Sequence, residues 1–309
     1  ETAFAQRQQA VVAAYGALGI TPTCTCTPYL VGHAPEFGQH IAWAESSAVS
    51  YANSVLGART NREGGPSALA AAIVGRTASY GLHLAAKRRA TVVIDVWCPI
   101  RSEADVGALG YLVGRVVENR VPLLRFHNGS PAHEELKTLG AAMAASGAVA
   151  LYHVEGVTPE ARAANVVDPG AAALAIDSLA SAYAALDGSC EEIDIVSLGC
   201  PHASLGELRA VAEAVEGSRA KTALWITTAR STREAAEAEG LVARIEAMGG
   251  RIVADTCLVV APMDELGHRS MATNSAKMAF YAPSHSGLAV RYGSLEQCLE
   301  AAATGVWSP

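Results

Sequence analysis

The sequence predicts an α/β fold, built of consecutive units with mostly parallel sheets covered by helices, and three observations carry that prediction. Short β-branched runs such as residues 91–97, 193–198 and 223–228 alternate with alanine-rich stretches at helical spacing. Regular alternation of this kind implies parallel or mixed strands joined by crossover helices. Half of the 309 residues are hydrophobic and few are aromatic, which suits a large aliphatic core. Finally, two strand-like runs, 193–198 and 251–254, lead into cysteines, Cys200 and Cys257, instead of ordinary turn residues. The carboxyl ends of strands are where open α/β sheets bind ligands, so two thiols delivered there can converge on one site.

The elements follow in order. Residues 4–18 carry apolar side chains at helical spacing and stop at Gly19, which predicts a helix. The polar run Thr23-Cys24-Thr25-Cys26-Thr27-Pro28-Tyr29 suits a loop that presents its side chains. Residues 38–57 read as a second helix, with small residues on most turns. Residues 58–67 are too polar and glycine-rich for an element, and Pro66 fits the first turn of a short helix running to Gly75. From Ala90 the alternation begins: strand 91–97, helix 104–118, strand 121–126, helix 132–146, strand 148–154. A linker-like zone over 155–170 leads into a helix at 171–186. The last third repeats the scheme with strand 193–198, helix 204–216, strand 223–228, helix 232–248 and strand 251–254. Ser204 and Glu207 make a capping box, and Gly249-Gly250 closes the later helix. The chain thus divides into a helical and loop part over 1–90, a first α/β unit over 91–190 and a second over 191–309. Because the chain opens on Glu1 with a helix that has no preceding strand to pack on, a preceding segment is expected.

A formal charge of -7 gives no electrostatic pull toward nucleic acid or acidic membranes, and no apolar run is long enough to span a bilayer. Seven cysteines without a secretory signal argue for a reducing cytoplasm and against a disulfide framework. Cys98, Cys190 and Cys298 lie within or beside ordinary elements and read as small buried hydrophobes. Cys24, Cys26, Cys200 and Cys257 sit in loops or at strand ends. Three thiolates from such distant loops can coordinate an iron-sulfur cluster and leave one corner open to substrate. Zinc is the rival ligand, but structural zinc sites use CxxC knuckles, and only Cys24 and Cys26 are close, at the wrong spacing.

Other polar groups have two readings each. Arg59, Asn61, Arg62 and Glu63 could fork onto a substrate carboxylate or form a solvated loop. His202 could donate to the cluster or the substrate, or merely start a helix. Glu45, Ser46 and Ser47 lie among apolar residues, where a carboxylate is buried only with a partner. Asn274, Ser275 and Lys277 could line a cleft, or cap a helix.

Five stretches together resemble the large catalytic part of aconitase X: residues 24–30, 40–49, 53–65, Leu198-Gly199-Cys200-Pro201-His202 and Ala272-Thr273-Asn274-Ser275-Ala276-Lys277. The resemblance covers essentially the whole chain. The last third is also similar in layout to the third domain of isopropylmalate isomerases, with Cys200 and Cys257 at two of the cluster positions. It departs from them in having one cysteine, followed by Leu258, where they have a pair. The resemblance implies that the missing ligand comes from the Cys24 to Cys26 loop. Spacing alone does not choose within that loop, because both thiols of an extended run point to one side. Pro28 fixes the backbone beyond Cys26 more firmly, so Cys26, Cys200 and Cys257 are taken as the ligands, with Cys24 outside the set.

What the resemblance implies is an aconitase-like core and a hydro-lyase that removes water from a small hydroxy acid at an iron-sulfur cluster. Substrate contacts are then expected from Ser46, Ser47, Asn61, Arg62, His202, Asn274 and Lys277. The proton-abstracting serine is expected on a small swivelling domain or subunit, so no residue here is assigned as catalytic base. Two family substrates are in play, cis-3-hydroxy-L-proline and mevalonate 5-phosphate. The alanine- and glycine-rich composition looks bacterial and no phosphate cradle is visible, which favours hydroxyproline. A metal-binding module or a scaffold subunit without turnover is the reading from a different class.

Overall fold

The computed structural model describes residues 3–263 and 265–308. Its first part is a helix α1 (Ala3–Ala17), with no buried residue, and two short helices, α2 (Ser46–Ser54) and α3 (Gly65–Val74). The first α/β unit runs β1 (Ala90–Val96), α4 (Glu103–Val117), β2 (Pro122–Phe126), α5 (Leu136–Gly147), β3 (His153–Val154), α6 (Pro159–Ala163), β4 (Val167–Ile176) and α7 (Ala180–Leu186). The second runs β5 (Ile195–Ala203), α8 (Leu205–Ala214), β6 (Ala223–Thr228), α9 (Arg230–Ala238), α10 (Leu241–Met248), β7 (Gly250–Ala254), β8 (Ser270–Thr273), α11 (Ala276–Ser286), β9 (Ala289–Tyr292) and α12 (Leu295–Thr304). Both sheets are parallel throughout, in the orders β3-β2-β1-β4 and β7-β6-β5-β8-β9.

Those orders decide where ligands bind. The connections move outward from β1 to β3 and then return to β4; likewise they move from β5 to β7 and return to β8. Each sheet therefore has one point where the crossover direction reverses, between β1 and β4 and between β5 and β8. A crevice opens at the carboxyl end of such a pair. In the second sheet that crevice lies beside Cys200.

One core serves both units. Ile94, Leu109, Leu139 and Tyr152 of the first unit belong to the same buried cluster as Ile195, Met271 and Tyr292 of the second. The Tyr292 hydroxyl donates to the Ala104 carbonyl at 2.6 Å, which closes the seam. A second cluster, including Leu208, Leu224 and Ile245, covers the other face of the β5 sheet. Helices α4 and α5 lie so close that a side chain at Gly147 would meet the backbone of Gly114.

Several boundaries differ from the sequence reading. Residues 38–45 form no helix, because His40 bridges to Arg59 and Trp43 to Arg62; α2 starts only at Ser46, where the Glu45 carboxylate caps Ala48 N–H at 2.6 Å. The alanine run assigned to a helix at 171–186 belongs in its first half to β4, paired with β1 alone at the sheet edge, where Pro169 is tolerated. The zone 155–170 holds α6 and the start of that strand. Gly240, at φ +75°, splits the helix expected over 232–248. Of residues 148–154 only His153 and Val154 pair as strand. The 193–198 strand continues through Cys200 and His202 to Ala203, with an irregular register after Leu198. His202 is therefore a strand residue, although the capping box of Ser204 and Glu207 stands as expected. Cys98 and Cys298 are buried, whereas Cys190 is only half-buried, in the loop after α7. No helix among the described residues is long and apolar enough to cross a membrane.

Candidate active site

Cys200 stands where β5 turns irregular. Gly199 makes that turn at φ +81°, and a side chain there would run into the Thr227 carbonyl of β6, so glycine is required. The Ser275 hydroxyl, at the start of α11, donates to the Cys200 carbonyl and so pins the strand end to the neighbouring strand's exit. The Cys200 thiol hydrogen-bonds to Cys257, which follows β7, and that bond holds Cys257 below the usual thiol range. Cys26 approaches from the first part of the chain. Its sulfur accepts the backbone N–H of His202 at 3.2 Å, and burial pushes its pKa up to about 12. Cys24 is exposed and turned by a positive φ of 44°.

A charge pair stands beside the thiols. Lys277, in the first turn of α11, is 8% exposed and lies 2.6 Å from Glu45 and 3.3 Å from the Ser47 hydroxyl. Burial opposes its charge, but Glu45 first, then Cys200 and Cys26, hold it protonated above the usual lysine range. Burial likewise works against the Glu45 carboxylate, and Lys277 overcomes it, keeping the group ionised. Ser46 is half-buried in the same first turn of α2.

Behind Cys200 lies a cavity of about 80 Å³ lined in part by Glu103, Lys137, Thr138, Glu207 and Asn274. Lys137 pairs with Glu207, while Thr138 donates to Glu103 at 2.6 Å and Asn274 contacts Glu103 at 3.4 Å. Burial, and then the neighbouring Glu207 charge, raises the Glu103 pKa. This group joins the two units, and sequence reasoning passed it over. Its one legible trace was a lone lysine, Lys137, inside an otherwise small-residue helix.

The expected site residues divide into two sets. Cys26, Cys200, Cys257, Ser47 and Lys277 are brought together, and Asn274 lines the cavity next to Cys200. His202 is there too, but both ring nitrogens are spent on the protein, at Thr25 and Thr256. Asn61 holds the loop at Tyr80 to Leu82: its amide nitrogen donates to the Tyr80 carbonyl at 3.2 Å and its oxygen accepts from Leu82 N–H at 2.8 Å. Arg62 is exposed, bridged to Trp43 through its backbone, and its guanidinium makes no hydrogen bond or ion pair among the described residues.

Among the described residues no three His, Cys, Asp or Glu side chains close round a point as a single metal ion requires. A polyatomic cluster has a different requirement, since each thiolate binds a different corner. Three free thiols in mutual electrostatic contact, with a buried ammonium alongside to offset thiolate charge, match that donor chemistry.

Fold and site together define an aconitase-like α/β protein with a group of thiols gathered at the carboxyl end of its second sheet. Sequence profiles of the aconitase X first, second and third domains match residues 1–86, 90–183 and 193–304. The chain is 50% identical over 94% of its length, and 72% of the relative's, to the phosphomevalonate dehydratase large subunit of Methanothermobacter thermautotrophicus. It is 38% identical over 98% of its length, and 54% of the relative's, to the cis-3-hydroxy-L-proline dehydratase of Pseudomonas aeruginosa. The crystal structure of Thermococcus kodakaraensis aconitase X in its holo-form superposes with a TM-score of 0.93 at 45% identity, covering 98% of this chain and 78% of that one. The chain belongs to the aconitase X family. It is an enzyme of the hydro-lyase class.

Proposed function

We propose that this chain is the large subunit of a dehydratase acting on mevalonate 5-phosphate. The observation that carries this is the order of its relatives: phosphomevalonate dehydratase large subunits at 50% and 44% identity stand above cis-3-hydroxy-L-proline dehydratases at 38% and 35%. Composition had favoured hydroxyproline, but alanine and glycine content reflects overall coding bias and says little about a pocket. The unpaired Arg62 guanidinium, just before α3, suits an anionic end of the substrate, carboxylate or phosphate.

Cys26, Cys200 and Cys257 would hold an iron-sulfur cluster, which when bound supplies a Lewis acid for the departing hydroxyl. The chain's own groups do the rest of the positioning. Lys277, kept charged by Glu45, offers a fixed ammonium beside the thiols. Ser47 accepts a hydrogen bond from it, Asn274 lines the cavity beside Cys200, and Ser46 opens the helix that carries Ser47. The proton-abstracting base is assigned to a small partner subunit, in keeping with relatives named as large subunits. Seven cysteines scattered among alternating strands and helices, without the pattern of a disulfide framework, support residence in a reducing compartment, the cytoplasm. The test is anaerobic reconstitution with the small partner, then assay of water elimination from mevalonate 5-phosphate and from cis-3-hydroxy-L-proline. Turnover of the phosphorylated acid alone is expected; turnover of hydroxyproline alone reverses the assignment, and iron with no turnover of either would indicate a binding module.

A further inference from the structure

Three separate chain segments that carry the thiols meet on one side chain. The His202 ring faces Thr25 Oγ1 from Nδ1 at 3.0 Å and the Thr256 carbonyl from Nε2 at 2.7 Å, and it is 1% exposed. A carbonyl oxygen can only accept, so Nε2 carries the proton, and in the neutral ring Nδ1 accepts from the Thr25 hydroxyl. The residue's backbone N–H, meanwhile, donates to Cys26 Sγ at 3.2 Å. Thr25 is tied in turn to its own loop, since its hydroxyl oxygen accepts Thr27 N–H at 3.1 Å. One planar ring thus spans the loop of Cys26 and the loop of Cys257, and its own strand carries Cys200.

We propose that His202 is the positioning residue of the thiol site: by clamping Thr25 and Thr256 it holds Cys26 and Cys257 at a set spacing from Cys200. The inference rests on reading those three cysteines as cluster ligands. It replaces the substrate-binding role expected for His202, because no ring nitrogen is left to meet a substrate. It also gives the loop a reason to choose between its thiols. With Thr25 turned onto the ring and Cys24 at positive φ, Cys26 faces inward against the His202 amide and Cys24 faces solvent.

The test uses Thr25→Val, His202→Ala and His202→Gln, the last restoring a donor and an acceptor on one planar group. Two readouts are taken from the full chain. Iron and acid-labile sulfide are measured after anaerobic reconstitution, and alkylation of Cys26 by iodoacetamide is followed by mass spectrometry in cluster-free protein, with Cys190 as the internal reference. Thr25→Val and His202→Ala should speed Cys26 alkylation about tenfold, as loss of one hydrogen bond of ordinary net strength allows. They should also lower cluster content, Cys190 should react as before, and His202→Gln should recover most of both effects. Thr25→Val is a mild change at a half-buried position, so it remains informative if His202→Ala does not fold. Unchanged Cys26 alkylation in Thr25→Val, or an unrescued His202→Gln, overturns the clamp. Full clusters in Cys26→Ser, Cys200→Ser and Cys257→Ser would instead overturn the ligand reading, which the alkylation experiment does not depend on.

Discussion

Lys277 Nζ lies 2.6 Å from Glu45 Oε1, an ion pair between the first turns of two helices, α2 and α11, 232 residues apart in sequence. The partial positive charge of a helix N-terminus favours the glutamate and disfavours the lysine. Lys277 is thus held where its own helix opposes it, by Glu45 and the thiols. Lys277→Met should destabilise the chain by about 3 kcal/mol, because Glu45 is left partly buried without its partner. The sign with pH follows from the depressed Glu45 pKa. The pair's stabilisation is present above the ordinary carboxylate range and is lost as pH falls through the lowered folded value. Denaturant titrations of both proteins between neutral and acid pH check this: the gap between them should narrow in acid.

Arg88 is 2% exposed and binds Glu160 at 2.6 Å, Asn53 Oδ1 at 3.0 Å, the Asn53 carbonyl at 2.9 Å and the Leu82 carbonyl at 3.1 Å. It therefore ties α2 and the loop before β1 to α6. Arg88→Met strips several buried acceptors at once and should cost about 3–5 kcal/mol in chemical denaturation. A loss below about 1 kcal/mol would show that water or a local shift replaces the guanidinium.

Gly199→Ala forces a side chain into positive φ and against the Thr227 carbonyl. A loss of at least about 2 kcal/mol is expected by thermal or denaturant unfolding. Iron content should fall as well, since Cys200 is the next residue.

Arg62 and Asn61 are adjacent but should respond differently. Arg62→Lys keeps the charge and loses the fork, so substrate binding should weaken by about 1.5–3 kcal/mol, read as a higher KM in the complete enzyme. Asn61→Ala should disturb the loop at Tyr80 to Leu82 and lower stability, with KM following only indirectly. Equal kinetic effects from the two substitutions would move Arg62 back to a solvated loop.

For the ligand set, single Cys→Ser exchange at positions 26, 200 and 257 should empty the site, and Cys24→Ser should leave iron and sulfide at the native level. Anaerobic metal and sulfide determination reads the outcome directly.

Much of this was legible in the residues. The alternation of β-branched and alanine-rich runs announces parallel sheets, and cysteines at two strand exits mark the carboxyl end of the second sheet. What failed did so for physical reasons. An alanine-rich run such as 171–176 has a helical preference, yet pairing with β1 overrides it. Residues 38–45 were read as helix because their bridges to Arg59 and Arg62 are not visible locally. The hydrogen bonds by which Asn61 holds the loop at Tyr80 and Leu82 are likewise not visible in the local sequence. The Glu103, Lys137 and Glu207 group was missed because only the packing of α4 and α5 against β5 and α8 brings it together.

The contact between Thr25 and His202 closes 177 residues of chain, and that between His202 and Thr256 another 54. The longer closure costs more chain entropy, so the order expected from topology docks the Thr25 loop after the contact between His202 and Thr256. On the reading of Cys26, Cys200 and Cys257 as cluster ligands, completing the second sheet would bring Cys200 and Cys257 together, and docking of the first part of the chain would then add Cys26. Maturation would then be timed by topology: a cofactor delivered before the first part docks would meet only the two thiols of the second sheet, and the finished fold would offer the third.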